Sequence, residues 1–262
     1  MACFATPYGL RYAAHCFNRA YAQNNRPALI PAGGKLGVTS PEKATRIGKS
    51  VNVRERNKEA RRDRILSSAE HLIEQHGSTN FSMIELARVS RLAVQTHYNL
   101  FNSKHSIIFG VLNKVLDDII VSIDLRGGRA DPIERVFAYS ESAVNIYLDR
   151  PVFFHSIFRH IFGIEDESSR LTFNQRAYDY WEEAVGAIYT EYDDVAIAPA
   201  VLADTINLYF VGVLESWIHR ELSSVQFRAK ISRGIAVQLL ALNLPDTRER
   251  LLKVIADGSE LI

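Results

Sequence analysis

Cysteine and methionine are scarce, at two of each in 262 residues, and Cys3 and Cys16 both lie near the start. They cannot staple the rest of the chain, which excludes a disulfide scaffold and points to a reducing compartment. Long apolar runs are missing too. No stretch approaches the roughly 18 residues of a transmembrane helix, so no membrane partner is expected. The opening MACFATPYGLRYAAHCF has no continuous apolar segment of the kind a secretory signal needs. No repeat of 20 to 50 residues is visible. Gly-rich phosphate loops, HExxH, CxxC and GxSxG are absent. The pairs His71/His76 and His155/His160 are five apart, not the four that would point two metal ligands from one helical face. No catalytic residue, cofactor or metal is therefore expected.

An excess of one charge is also lacking, with 31 Lys+Arg against 30 Asp+Glu. The balance hides an uneven spread. Residues 1–50 carry 7 basic and 1 acidic side chains, residues 51–116 carry 10 and 6, and residues 117–262 carry 14 and 23. A basic front on an acidic body suggests contact with nucleic acid or a membrane surface at one end. With 47% hydrophobic and 23% charged residues the bulk is globular.

Residues 1–53 read as a basic, disordered tail, with Pro7, Pro27, Pro31, Pro41 and Gly33-Gly34 and no sustained periodicity. Up to Pro41 the tail has basic residues and no acid, a composition shared with organellar transit peptides. A translation start at Val51 or Val53 is a further alternative. From Arg54 onward the chain reads as helical. Ile65, Leu66, Ala69, Leu72 and Ile73 form one face, and Gly77 closes that helix as its left-handed C′ residue. Ser82-Met-Ile-Glu85 is a capping-box pattern opening a short helix. After a break near Ser90–Leu92 comes a third helix with Val94, Tyr98 and Phe101 on one face. Asn102 or Ser103 caps a fourth, with a stripe from Ile107 to Ile123. Further helices are expected at about 131–149, 151–163, 169–192, 199–222, 225–243 and 246–257. Period-two strands are absent, so the fold class is all-α.

Three short helices with a tight turn between the second and third have the format of a helix-turn-helix reader. At about 100° per residue, Val94, Tyr98 and Phe101 point inward, Gln95, Thr96 and Asn99 point outward, and His97 sits at the edge. Gln and Asn side chains match adenine edges, and Thr suits a thymine methyl or a phosphate. A solvated helix face is the plain alternative. Gln95, His97 and Asn99 are candidate base contacts on orientation. Arg54, Arg56, Lys58, Arg61, Arg62 and Arg64 lead into the first helix and could neutralise phosphates, with Arg61 and Arg62 the main candidates. The alternatives for this run are a solvated helix start interleaved with Glu55, Glu59 and Asp63, or a basic membrane-binding segment.

The segment RDRILSSAEHLIEQHGSTNFSMIELARVSRLAVQTHYNLFNSKHSI resembles the DNA-binding domain of tetracycline-repressor-like (TetR family) transcription regulators. The matching residues are Ile65-Leu66, Ala69, Gly77, Phe81-Ser82-Met83, Leu86-Ala87, Thr96, Tyr98, Phe101, Ser103 and Lys104. The likeness is close over about 55 residues and extends loosely to LYFVGVLESWIHREL, which looks like that family's penultimate helix. It implies a helix-turn-helix domain over 54–104 and a helical ligand-binding and dimerisation domain over 105–262, with 105–124 as the linking helix. It also implies that Thr96 and Tyr98 contact the DNA backbone or base edges. Lys104 would hold a phosphate beside the N-terminal amides of the fourth helix. Two positions depart from the family's pattern. Where Gly is usual stands Arg91, which must enter a positive-φ conformation or alter the turn. Where Ser or Thr is usual stands Ala93, forfeiting an N-cap bond worth about 1 kcal/mol.

The body is rich in aromatics. The resemblance implies a small-molecule pocket here, and its lining would be aromatic and its effector largely apolar or aromatic. Phe154, His155, Phe158, Arg159, Phe162, Tyr178, Trp181 and Trp217 are its candidate residues, with His160 and His219 as further polar anchors; a packed core is the alternative. The stretch 199–222 is apolar almost all round and needs cover on every side. With the stripe of 225–243 it suggests a homodimeric four-helix interface. The expected protein is a ligand-responsive, cytoplasmic, nucleoid-associated bacterial regulator, a repressor of a pseudo-palindromic operator in double-stranded DNA. The competing classes are a helical interaction module without specific DNA binding and an all-helical enzyme.

Overall fold

The computed structural model describes residues 41–124, 131–163 and 167–257. The tail residues 1–40 with both cysteines, Gly127-Gly128, and Glu165-Asp166 lie outside the described residues. The chain divides into two units, Met1–Asn52 and Val53–Ile262, and of the first Pro41–Asn52 are described, as helix.

Among the described residues there are ten helices and no strand. They are α1 (Pro41–His76), α2 (Met83–Ser90), α3 (Val94–Leu100), α4 (Lys104–Asp124), α5 (Pro132–Asp149), α6 (Pro151–Phe162), α7 (Glu167–Glu191), α8 (Pro199–Ile218), α9 (Ser224–Leu240) and α10 (Arg248–Asp257). The all-α reading holds. One boundary is corrected: α1 starts at Pro41, well before the expected Arg54. From Pro41 to His76 there is no second proline, so nothing in the backbone stops the helix running on.

Local chemistry sets most of the ends. Gly77, at φ 60°, closes α1. Asp131 caps α5, its Oδ1 accepting from the amides of Ile133 and Glu134, both at 2.9 Å. Arg250 of α10 grips the same carboxylate at 2.7 and 3.1 Å. Pro151 and Pro199 occupy first-turn positions of α6 and α8. Ser223 and Gln226 form a full capping box at α9. The helix expected to reach residue 222 ends at Ile218, because Arg220 turns left-handed at φ 62°.

The buried side chains make one continuous cluster from Ile65 in α1 to Leu251 in α10. Helix α7 packs on α8, α5 and α4, while α9 lies on α8, α5 and α10. Gly110 lets α4 approach α1, since a methyl group there would sit 2.7 Å from Leu66 Cδ2. Gly234 receives the Tyr209 ring, whose hydroxyl donates to the Lys230 carbonyl at 2.8 Å and so ties α8 to α9.

Helix α8 is not covered on every side. Leu202, Ile206, Phe210, Leu214 and Trp217 are buried, while Val201, Leu208 and Val211 are exposed, as is Val237 on α9. Contrary to the expectation that no stretch has spanning length, α8 is long and apolar enough to cross a membrane by composition alone. Half of it is buried against the rest of the chain, as in a core helix.

Candidate nucleic-acid interface

The turn between α2 and α3 forms without glycine. Ser82 Oγ accepts from the Glu85 amide at 3.1 Å and starts α2. The Glu85 carboxylate meets His76 at 3.4 Å, tying α2 to the end of α1. At the other end Arg91 adopts φ 53°, ψ 40°, and the Leu92 amide reaches the Ala87 carbonyl at 3.2 Å. This is the Schellman closure with an arginine where glycine is least strained, at a cost of about 1 kcal/mol. Ala93 is the N-cap of α3 and supplies no side-chain bond, as its type dictates.

The phase of α3 differs from the expected one. His97 is fully buried (0% exposed) and Tyr98 is 45% exposed. His97 is therefore not a base-reading residue, and Tyr98 does not face the core. The cause is local satisfaction of the imidazole: Nδ1 donates to the Ala93 carbonyl at 2.9 Å, and Nε2 meets the buried Ser90 hydroxyl at 2.9 Å. With both nitrogens paired, burial carries no unsatisfied-group penalty, and His97 with Phe101 anchors α3. The outward face then consists of Gln95, Tyr98 and Asn99, with Thr96 half-buried beside them. Gln95 Nε2 donates to Asn99 Oδ1 at 2.9 Å, holding the two amides together one turn apart.

The cations divide by environment. Arg62 does not present its guanidinium as a free phosphate ligand. Nη1 donates to the Leu100 carbonyl at 2.7 Å and the group lies 4.3 Å over Phe101, clamping the end of α3 to α1. Arg61 is exposed, and so are Arg54, Arg56, Lys58 and Arg64, along a stretch of α1 whose side chains from Val53 to Ala60 are all exposed. Lys58 pairs with Glu55 at 3.0 Å. Lys104 opens α4, half-buried, with Nζ 4.5 Å over the Phe81 ring. Burial pulls its pKa below the usual lysine value. Ser103 caps that helix by accepting from the Ser106 amide at 3.1 Å.

The residues expected to line an effector pocket separate into two groups. Phe154, Phe158 and Trp181 are buried in a continuous aromatic stack. Tyr147 packs on Phe154 and Phe158 at 4.7 and 5.6 Å and reaches Phe210, which lies 5.3 Å from Trp181. Phe162 extends this stack to an exposed end of α6, and Tyr178 lies half-buried on α7. His155, Arg159 and Trp217 instead share a cleft of about 330 Å³ with Gly77, Ser156, Arg220 and the start of α9. His219 lies outside it, bonded to Glu215 of its own helix.

Two junctions were invisible as motifs. Glu70 of α1 accepts from Lys114 of α4 and from Arg150, which precedes α6, both at 2.8 Å. Arg150 also pairs with Glu74 at 2.6 Å and stacks 4.1 Å over Phe153. Burial pushes the Glu70 carboxyl up, and the bonds and charges of Lys114 and Arg150 outweigh that and hold it below its ordinary value. His160 meets His105 of α4 at 3.2 Å with the rings stacked. Burial, together with the charges of His105 and Lys104, lowers the His160 pKa. Each pair joins residues more than 40 positions apart, so no sequence spacing announces it.

No protein-family model matches the sequence, and none of the curated proteins does. The structure is similar to a TetR transcriptional regulator from Rhodococcus sp. RHA1, with a TM-score of 0.60 at 19% identity over 71% of this chain and 99% of that one. It is similar also to a protein from Syntrophomonas wolfei assigned as a TetR-family transcriptional regulator, with a TM-score of 0.57 at 16% identity over 71% and 97% of the two chains. At these identities the likeness is one of fold. With α2 and α3 as its helix-turn-helix and α4 leading into the helical body, the chain has the fold of TetR-family transcriptional regulators.

Proposed function

We propose that the protein is a DNA-binding transcriptional regulator and not an enzyme: a cytoplasmic repressor, nucleoid-associated in a bacterium, that binds a pseudo-palindromic operator as a homodimer. Residues 54–104 are the reading head, and 105–262 the regulatory and dimerisation region, joined through 105–124. The observation that carries this reading is the outward face of α3. Gln95 and Asn99 offer paired amides suited to adenine, Tyr98 stands exposed beside them, and Thr96 flanks the pair. Lys104 and Arg61 take phosphates, with Arg54, Arg56 and Arg64 adding salt-dependent grip.

Two copies meet through α8 and α9. Val201, Leu208, Val211 and Val237 leave apolar surface in water, and pairing the stripe with its own copy buries it in a four-helix arrangement. A two-fold pair sets two α3 helices about one DNA turn apart, near 34 Å, or a multiple of it. A small-molecule effector bound in the body shifts α4 and with it the separation of the heads, and affinity falls when both half-sites can no longer be engaged. Selection of bound DNA from a random pool tests the reading. A two-fold symmetric consensus is expected; retention of DNA without any sequence preference would overturn it.

A further inference from the structure

The cleft beside Trp217 has a charge pattern of its own. Arg159 of α6 and Arg220 after α8 both line it, and no carboxylate does. Neither arginine forms an ion pair among the described residues. Arg159 spends Nη2 on the Ile218 carbonyl at 3.3 Å, which fixes its stem and leaves the other guanidinium donors. His155 donates from Nδ1 to the same carbonyl at 3.0 Å and packs on Trp217 at 4.4 Å, and burial favours its neutral ring, so it adds no positive charge to the cleft. Ser156 hydrogen-bonds the Gly77 carbonyl at 2.6 Å, which makes the turn after α1 one wall of the cleft. Pro151, Val152 and Leu222 supply apolar surface.

Arg220 is also left-handed, at φ 62°, where glycine would relax the backbone. At the start of α9 the Ser223 hydroxyl accepts from the Gln226 amide at 3.2 Å. The positive charge of the cleft comes from its two guanidinium groups, which are suited to bidentate pairing with oxyanions.

We propose that this cleft binds a small organic anion, a carboxylate or a phosphate ester attached to a compact apolar group. The acid lies between Arg159 and Arg220, and the apolar portion rests against Val152, Pro151 and Leu222. About 330 Å³ is the lower end of ligand-pocket sizes and suits a molecule of about a dozen heavy atoms. The inference gives the effector of the proposed regulator a chemical class and rests on that reading for its regulatory role. The binding itself is a property of the free protein. A ligand here touches both the turn that ends α1 and the helices of the body.

The test is calorimetric titration of the full chain, without DNA and at constant ionic strength, with benzoate, phenyl phosphate and uncharged benzyl alcohol. Saturable binding of one anion per chain is expected, with no binding of the alcohol. The better of the two anions identifies the acid group. R159Q and R220G should each weaken binding by about tenfold, the loss of one charge-assisted contact. R220G should keep or raise the melting temperature, which separates lost binding from lost folding. K104A, on the proposed DNA face, should leave binding unchanged. The proposal is overturned if no saturable heat appears, if the alcohol binds as well as the anions, if both arginine variants bind unchanged, or if K104A abolishes binding. DNA selection with the same protein decides the regulator reading separately, so either can fail alone.

Discussion

Replacing His97 with alanine separates a structural role from a reading role at one position. In the intact protein the imidazole makes two hydrogen bonds of 2.9 Å, to Ser90 and to the Ala93 carbonyl, and none of its surface is exposed. Its removal forfeits both bonds, at about 1 kcal/mol each. Ser90, itself buried, keeps only a 3.3 Å contact to the Ala87 carbonyl. The space left by the ring adds about 1–2 kcal/mol of lost packing. The total is about 3–4 kcal/mol, a large share of a typical domain's stability. For a chain of this size the melting temperature should fall by about 6–16 °C. Urea denaturation followed by circular dichroism measures the loss. A paired S90A/H97L variant, which removes both polar partners together, should recover most of it. At a temperature where H97A is folded, its selected DNA consensus should match that of the parent. The reasoning is refuted if H97A loses less than about 0.5 kcal/mol, within the range of ordinary surface changes, and alters the consensus.

On the outward face, Gln95→Ala should relax base preference at one position of the consensus. Lys104→Ala should weaken all sites alike and lower the slope of log affinity against log salt by about one, as read from binding isotherms at several salt concentrations. Leu208→Glu or Val211→Glu, both at exposed positions, should leave the helical fold within about 0.5 kcal/mol of the parent. Each should shift sedimentation from dimer to monomer and abolish high-affinity operator binding. For Glu70 the sign follows from its lowered pKa. The network contributes stability above the ordinary carboxylate range and loses it as pH falls through the lowered folded-state value. E70Q should therefore melt below the parent at neutral pH, and the two melting curves should converge as pH falls through the lowered folded-state value; parallel curves would show that the network contributes nothing.

The helices were legible where a single chain segment carries its own instructions. The stripe Ile65, Leu66, Ala69, Leu72 and Ile73, the Gly77 stop, the Ser82 cap and the Pro151 and Pro199 starts all lie where the pattern predicts. At Arg91 the family resemblance left two outcomes, a positive φ or an altered turn, and the structure has the positive φ. The rotation of α3 was not readable, because periodicity ranks a tyrosine as apolar and a histidine as polar. Which of the two is buried depends on Ser90, seven residues away across the turn. Arg62 was misplaced for the same reason: its partners Leu100 and Phe101 lie on another helix. The aromatic residues of α6 stand out as a group in the sequence. Their division between the stack around Tyr147 and the cleft at Trp217 depends on how α6 lies against α8, which no local pattern encodes.

The unbroken run of buried side chains through α1, α4 and the body has a consequence for transplantation. Helix α4 contributes Ile107, Ile108, Val111 and Leu112 to the same apolar mass as Leu66, Phe81 and Phe101, and Gly110 sits where α1 crosses it. A reader cut off before Lys104 would leave its own interior open to water. Any chimaera that moves the segment 54–104 onto another scaffold must carry α4 with it, together with a scaffold surface shaped to receive the far side of that helix. On the proposed reading, recognition and regulation would be inherited as one piece, and new binding preferences would be reached more readily by altering the outward residues of α3 than by exchanging heads.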